Sequence, residues 1–194
     1  MGITKLTTNG VNGTKYDIAS ADNYYMEPIA TQLLGSSQAT ITFSNIPQTY
    51  KHLQLRMLTR DSAAQSGSQS QMQINGDTGS NYNWHAMEGN GASASAAGGT
   101  GSTTYIYGFD RTSAGSNGAS IFGADVVDIL DYANVYKFKT IRALGGYDAN
   151  GSGVLKFASG LWMNTAAITS FSISLQSGGS YVQHSRFSLY GIRG

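Results

Sequence analysis

The stretch Gly153-Val154-Leu155-Lys156-Phe157-Ala158-Ser159-Gly160-Leu161-Trp162-Met163 places large apolar side chains on alternate positions, at Leu155, Phe157, Leu161 and Met163. Successive side chains of a strand point to opposite faces, so this spacing predicts a half-buried antiparallel strand. Two further alternating segments follow, one with Phe171, Ile173 and Leu175, the other with Phe187, Leu189 and Ile192. Asn164 to Ala167 and Ser177 to Ser180 supply small, turn-prone residues between them. Three neighbouring strands with one greasy face would form a sheet, and such a sheet needs a second layer to cover it.

Upstream segments suit that second layer. Pro28 to Leu34 and Ala39 to Phe43 are apolar runs separated by Gly35-Ser36-Ser37. Asn45-Ile46-Pro47-Gln48 then breaks the pattern, because proline cannot donate to a ladder and restricts the residue before it. Tyr50 to Arg60 resumes with Leu53, Leu55 and Met57 on one face and His52, Gln54 and Arg56 on the other. Gln71 to Ile74 is a shorter strand closed by the hairpin-type dipeptide Asn75-Gly76. Asn90 to Ser102 is nearly all Gly, Ala, Ser and Thr, which predicts a long loop within residues 77 to 102, and Arg111 to Asn117 predicts another. The β-branched content of Ile121 to Tyr132 favours a strand over a helix, and Lys137 to Leu144 follows as another. Eight to ten strands without a helix predict an all-β chain: an antiparallel β-sandwich of jelly-roll type, with an up-and-down barrel as the alternative.

Composition agrees with that class. The 194 residues include 25 Gly and 12 Tyr, and only 12% are charged. The length suits one domain, with residues 28–194 as the sandwich and residues 1–27 as an extended N-terminal arm too polar to build a core element. Within the arm, Ile3, Leu6, Tyr16, Ile18, Tyr24 and Tyr25 are candidate docking residues for anchoring and oligomer contacts. A formal charge of +1 provides no general pull toward nucleic acid or an anionic membrane, and no apolar run is long enough for a spanning helix. The start Met1 to Leu6 lacks the charged and apolar blocks of a signal peptide. The absence of cysteine removes disulfides, thiol catalysis and thiolate metal sites together.

No constellation of residues predicts catalysis. His52, His85 and His184 are dispersed and fit no zinc spacing, so neither metal nor cofactor is expected. Serines abound, but no Gly-x-Ser-x-Gly elbow is present. Asp125, Asp128 and Asp131 could suggest paired carboxylates, yet on a strand Asp125 and Asp128 point to opposite faces. Asp148 to Gly153 matches the first half of an EF-hand loop, but Ser159 stands where a bidentate Glu is needed, and Asn150-Gly151 reads as a hairpin turn. The remaining candidate site is a surface patch of Tyr82, Trp84 and His85, whose rings could stack on a glycan; for Trp84, burial at the edge of the sandwich is the competing reading.

The series Ile41-Thr42-Phe43-Ser44-Asn45-Ile46-Pro47-Gln48-Thr49-Tyr50-Lys51-His52-Leu53-Gln54-Leu55-Arg56 resembles a segment of structural proteins of tailed bacteriophages, especially those of cyanobacterial and marine hosts. Asn75-Gly76-Asp77, Asp128-Ile129-Leu130-Asp131-Tyr132, Ser159-Gly160-Leu161-Trp162 and Ser188-Leu189-Tyr190-Gly191-Ile192 are similar to later parts of the same family, and Met1 to Gly10 to its starts. The resemblance implies a non-enzymatic β-sandwich component of the virion, assembled in the host cytoplasm and often multimeric. Expected partners are further copies of the chain, with a homotrimer favoured, and the major capsid or tail proteins. Capsid decoration or cement is the expected role. The alternative is a tail fibre or appendage that binds host surface glycan through loops 77–102 and 111–118.

Overall fold

The structure, a computed structural model, describes residues 25–64, 68–99 and 101–194. These residues form twelve strands and no helix. In chain order the strands are β1 (Met26–Leu33), β2 (Thr40–Phe43), β3 (His52–Thr59), β4 (Ser70–Ile74), β5 (Tyr82–Gly89), β6 (Ala94–Gly98), β7 (Ile106–Tyr107), β8 (Gly123–Ile129), β9 (Lys139–Asp148), β10 (Gly153–Trp162), β11 (Phe171–Leu175) and β12 (Arg186–Ile192). Two antiparallel sheets pack as a sandwich: eight strands in the order β1-β12-β3-β8-β9-β10-β5-β6, and four in the order β2-β11-β4-β7.

The chain crosses repeatedly between the layers. Strands β1 to β4 alternate between the sheets, as do β7 with β8 and β11 with β12, while β5–β6, β8–β9 and β9–β10 are neighbours in the large sheet. The last three segments are therefore not one sheet, as their closeness in sequence predicts. β11 lies in the small sheet, and β12 is separated from β10 by β3, β8 and β9. The Asn164 to Ala167 and Ser177 to Ser180 joints are thus parts of crossovers rather than hairpin turns. Asn75-Gly76 forms its tight turn, with positive φ at both residues and the Asp77 N–H donating to the Ile74 carbonyl. That turn also leads from one sheet to the other, because β4 and β5 never pair. Asn150-Gly151 does close the β9–β10 hairpin, where the Ala149 N–H donates to Ser152 O and Asp148 pairs with Gly153.

The core lies between the layers. Leu53, Leu55, Val127, Ile129, Ile141, Trp162, Phe187 and Leu189 from the large sheet meet Ile41, Phe43, Met72, Ile74, Ile106, Phe171 and Ile173 from the small one. The Trp162 indole stacks on Tyr82 and donates to Asp77 Oδ2 at 2.8 Å. Gly160 lets Ile106 of the small sheet close on β10, since a Cβ there would meet Ile106 Cγ2 at 2.3 Å.

Two boundaries depart from the sequence reading. β1 starts at Met26 and pairs Met26 with Ile192 and Glu27 with Gly191, so the sheet begins two residues ahead of Pro28. Residues 82–89 and 94–98, both expected within the loop 77–102, form β5 and β6, with β5 pairing β10 and β6 pairing β5. Small side chains do not prevent pairing where a neighbouring strand already presents a ladder.

Candidate functional site

Strand β10 fixes where the surface chemistry lies, and its register is the reverse of the one its large apolar residues suggest. Lys156, Ala158, Gly160 and Trp162 face the core, whereas Leu155 is 63% exposed and Phe157 45%. The inner layer selects small residues and Trp162 because Ile106 of the covering sheet comes so close at Gly160. Lys156 is tolerated inside because it has partners. The large aliphatic and aromatic side chains are left pointing outward.

Cross-strand register then gathers them. Phe157 lies opposite Met87 on one side and Leu144 on the other. Leu144 is opposite Val126, and Met87 is opposite Ala96. One step along the strands, Leu155 sits between Gly89 and Gly146, and the row continues through Ala124 to Leu58. Leu58 pairs with Arg186, and Arg186 with Leu33. Leu33, Leu58, Met87, Val126, Leu144, Leu155 and Phe157 are all exposed. Leu58, Met87, Val126, Leu144, Leu155 and Phe157 form two adjacent apolar rows on the outer face of the eight-stranded sheet, bounded by Arg56 after Val126 and by Arg186 between Leu58 and Leu33. The next row is polar: His85, Ser159, Arg142, Asp128, Gln54 and Tyr190. Asp128 accepts hydrogen bonds from Gln54 Nε2 at 2.9 Å and Arg142 at 3.1 Å, and the Arg56 guanidinium lies over the Tyr190 ring.

The outer face of the four-stranded sheet is of the opposite character. There Ser172 pairs with Thr42 and Gln73, and Ser174 with Thr40 and Gln71. Hydroxyls and amides are what an antiparallel sheet shows to water. The contrast within one sandwich marks the large sheet's outer face as the candidate site.

Two shallow hollows indent this face where small residues stand beside the large ones. One of ≈ 720 Å³ lies over Gly89, Gly146 and Tyr147 beside Leu144 and Leu155. The other, of ≈ 500 Å³, lies over Ala96, Gly98 and His85 beside Met87 and Phe157.

Beneath β10, between the layers, is a cluster of charges. Lys156 Nζ donates to Gln69 Oε1 at 2.6 Å and lies 3.9 Å from Glu88. Glu88 in turn receives both Nε and Nη2 of Arg111. A small cavity of ≈ 80 Å³ adjoins these groups, with Trp84 on its wall. Burial, reinforced by the Arg111 charge, pulls the Lys156 ammonium down to about 8. Asp110 accepts from the Ser70 N–H, the Ser70 hydroxyl and the Thr112 hydroxyl, and the Tyr181 hydroxyl lies 2.6 Å from Ser70 Oγ. Asp125 accepts only the Arg111 N–H, at 3.3 Å, and its Oδ2 is buried without a partner. Burial raises both carboxyls, but Asp110 is offset by its Ser70 and Thr112 donors whereas Asp125, with the Asp110 carboxylate beside it and one long hydrogen bond, is pushed well above the usual carboxylate range, which favours the proton on Asp125. Asp128 faces outward, so the two carboxylates are on opposite faces as the strand period requires. The cluster ties the 108–118 loop to β5, β8 and β10 rather than opening a cleft.

The expected recognition patch does not form as a unit. Tyr82 is fully buried, its hydroxyl bonded to the backbone of Ile74 and Asp77, and burial pushes its pKa up to about 12. It is a core residue and cannot stack on a ligand. Trp84 is half-buried and lies on the same inward side, while His85 is exposed on the outer face. Of the expected arm residues, Ile3, Leu6, Tyr16, Ile18 and Tyr24 lie outside the described residues. Tyr25 is exposed, and its carbonyl accepts the Arg193 N–H. Sequence reasoning missed the outer-face residues because it assigned Leu155 and Phe157 to the core. The available signal was Trp162, which shares its phase with Ala158 and Gly160.

Comparison with family models, with curated proteins and with solved structures found no match.

Proposed function

We propose that the chain is a structural protein of a tailed-phage virion that works by assembly rather than by catalysis, most simply as an accessory subunit of the capsid surface. The observation that carries this reading is the outward apolar face of the eight-stranded sheet. Six large hydrophobic side chains, Leu58, Met87, Val126, Leu144, Leu155 and Phe157, in two adjacent rows are more than a solitary surface ordinarily leaves in water, and such patches mark contact sites. The resemblance of Ile41 to Arg56 to phage structural proteins supplies the setting. The strand order supports the jelly-roll form of the sandwich: β1-β12-β3-β8 faces β2-β11-β4-β7, with β9, β10, β5 and β6 extending the first sheet. In this reading the extension is what creates the contact face, since Met87, Leu144, Leu155 and Phe157 all lie on the added strands. The segment ahead of β1, residues 1–25, is the proposed anchor to the particle.

The test is reconstitution. Particles lacking the chain are mixed with purified wild-type protein or with a Leu155→Lys/Phe157→Glu variant. Saturable binding of the wild type and restored resistance to heat or osmotic shock are expected, with loss of both for the variant. A wild-type chain that binds no particle component overturns the reading.

A further inference from the structure

We infer that the outer face of the eight-stranded sheet is covered by the same face of a second copy, giving a two-fold dimer of sandwiches; this rests on the assembly reading above and specifies its first contact. Three observations select a second copy over other occupants. The first is shape. An isologous interface uses one patch twice, so every knob must find a hollow on that same patch. Here the knobs Leu144, Leu155, Phe157 and Met87 stand directly beside the hollows over Gly89 and Gly146 and over Ala96 and Gly98. The second is size. Eight strands about 4.8 Å apart span about 34 Å, and two apolar rows with one polar row add about 20 Å along the strands, giving a footprint of about 700 Å². That approaches the roughly 800 Å² per partner of a stable specific interface. The third is composition. The rows carry Leu, Phe, Met, Val, Ala and Gly across β6, β5, β10, β9 and β8, the charges Arg142 and Asp128 stand in the neighbouring row, and Arg56 and Arg186 follow Val126 and Leu58 where the rows pass onto β3 and β12, which is the arrangement of an apolar centre with a polar rim. Stacking sheet on sheet at about 10 Å would bury these rows as the interior of the chain's own sandwich is buried.

The experiment is native mass spectrometry and sedimentation of the full chain at tens of micromolar. The expected species has twice the 20.5 kDa of one chain. The Leu155→Lys/Phe157→Glu variant is expected to weaken the dimer at least about 100-fold, as removal of central interface residues does. A Thr42→Lys/Ser172→Glu variant on the polar face of the small sheet is expected to stay dimeric. Should the charged variant fail to fold, Leu155→Ser/Phe157→Ser is the milder substitution, with at least tenfold weakening expected. A wild-type monomer, a trimer, or a dimer indifferent to the outer-face variants overturns the two-fold pairing. A monomer whose outer-face variant no longer binds particles overturns it in favour of a different virion protein on this face and leaves the assembly reading standing. A monomer with the face protected from solvent labelling overturns it in favour of residues 1–24 of the same chain.

Discussion

Replacing Asp125 with Asn is expected to stabilise the protein, and increasingly so as the pH rises. In the folded chain Asp125 Oδ2 is buried with no partner, and Oδ1 has one long hydrogen bond from the Arg111 backbone. Burial and the neighbouring Asp110 hold its pKa well above the ordinary carboxylate value, whereas the unfolded chain releases the proton at the ordinary value. Between those two pH values the folded state binds more protons than the unfolded one. The stability associated with this group is therefore complete below the ordinary carboxylate range and falls as pH rises toward the raised value. Asn keeps the shape and the acceptor, carries no charge at any pH, and adds an N–H donor beside the Asp110 carboxylate. An unsatisfied buried polar group costs about 1–3 kcal/mol. A gain of about 1–2 kcal/mol near pH 7.5 is accordingly expected, or about 2–8 °C in Tm for a chain of this size. The assay is a series of thermal melts from about pH 5 to 7.5, with the slope read from the points up to about pH 7, before Lys156, at about 8, titrates appreciably. The gap between variant and wild type should widen steadily across that range. A constant gap, or a variant less stable at every pH, refutes the placement of the proton on Asp125.

Further outcomes follow from other contacts. The Arg60 guanidinium donates to the carbonyls of Gly115, Asn117, Gly118 and Ile121, so Arg60→Met leaves four buried-side acceptors without it and should cost about 2–4 kcal/mol in chemical denaturation. Gly160→Ala should cost about 1–3 kcal/mol by overpacking against Ile106, and an Ile106→Val second substitution should recover part of it. Asp77 is held below the usual carboxylate range first by the Trp162 indole N–H and then by Asn81 and Gly79, so its contribution is present above that range and lost as pH falls through the lowered value. Asp77→Ala should therefore lower Tm at neutral pH and differ less from wild type in acid. Leu155→Ser, on the outward face, should change the stability of the isolated subunit by less than about 0.5 kcal/mol, which a melt under dissociating dilution will show.

The β class and most strands are legible in the sequence because alternation is a local property. Leu53, Leu55 and Met57 against His52, Gln54 and Arg56 assign β3 and its buried face correctly, and the structure keeps that assignment. β10 shows where local reading fails. Its two faces are both apolar in part, and the choice between them depends on Ile106, Gln69 and Glu88, which are distant in sequence and decide that Gly160 and Lys156 face inward. Strand order is likewise hidden, since β10, β11 and β12 follow one another along the chain yet occupy separate places in two sheets. Tyr82 was misplaced for a related reason: its hydroxyl finds backbone partners at Ile74 and Asp77 only through the Asn75-Gly76 turn and the crossover after it. The candidate face was therefore invisible as a site, although each of its residues was visible as a hydrophobe.

Methionine oxidation as a function of protein concentration tests the central claim most directly. Met87 stands in the apolar row beside Phe157, one strand in from the β6 edge and 58% exposed in the single chain, while Met72 is fully buried and serves as the internal reference. Dilute protein should oxidise rapidly at Met87, concentrated protein should protect it at least tenfold, and Met72 should remain slow in both. A Met87 rate that stays the same from nanomolar to tens of micromolar concentration, with or without particle components present, would contradict the account.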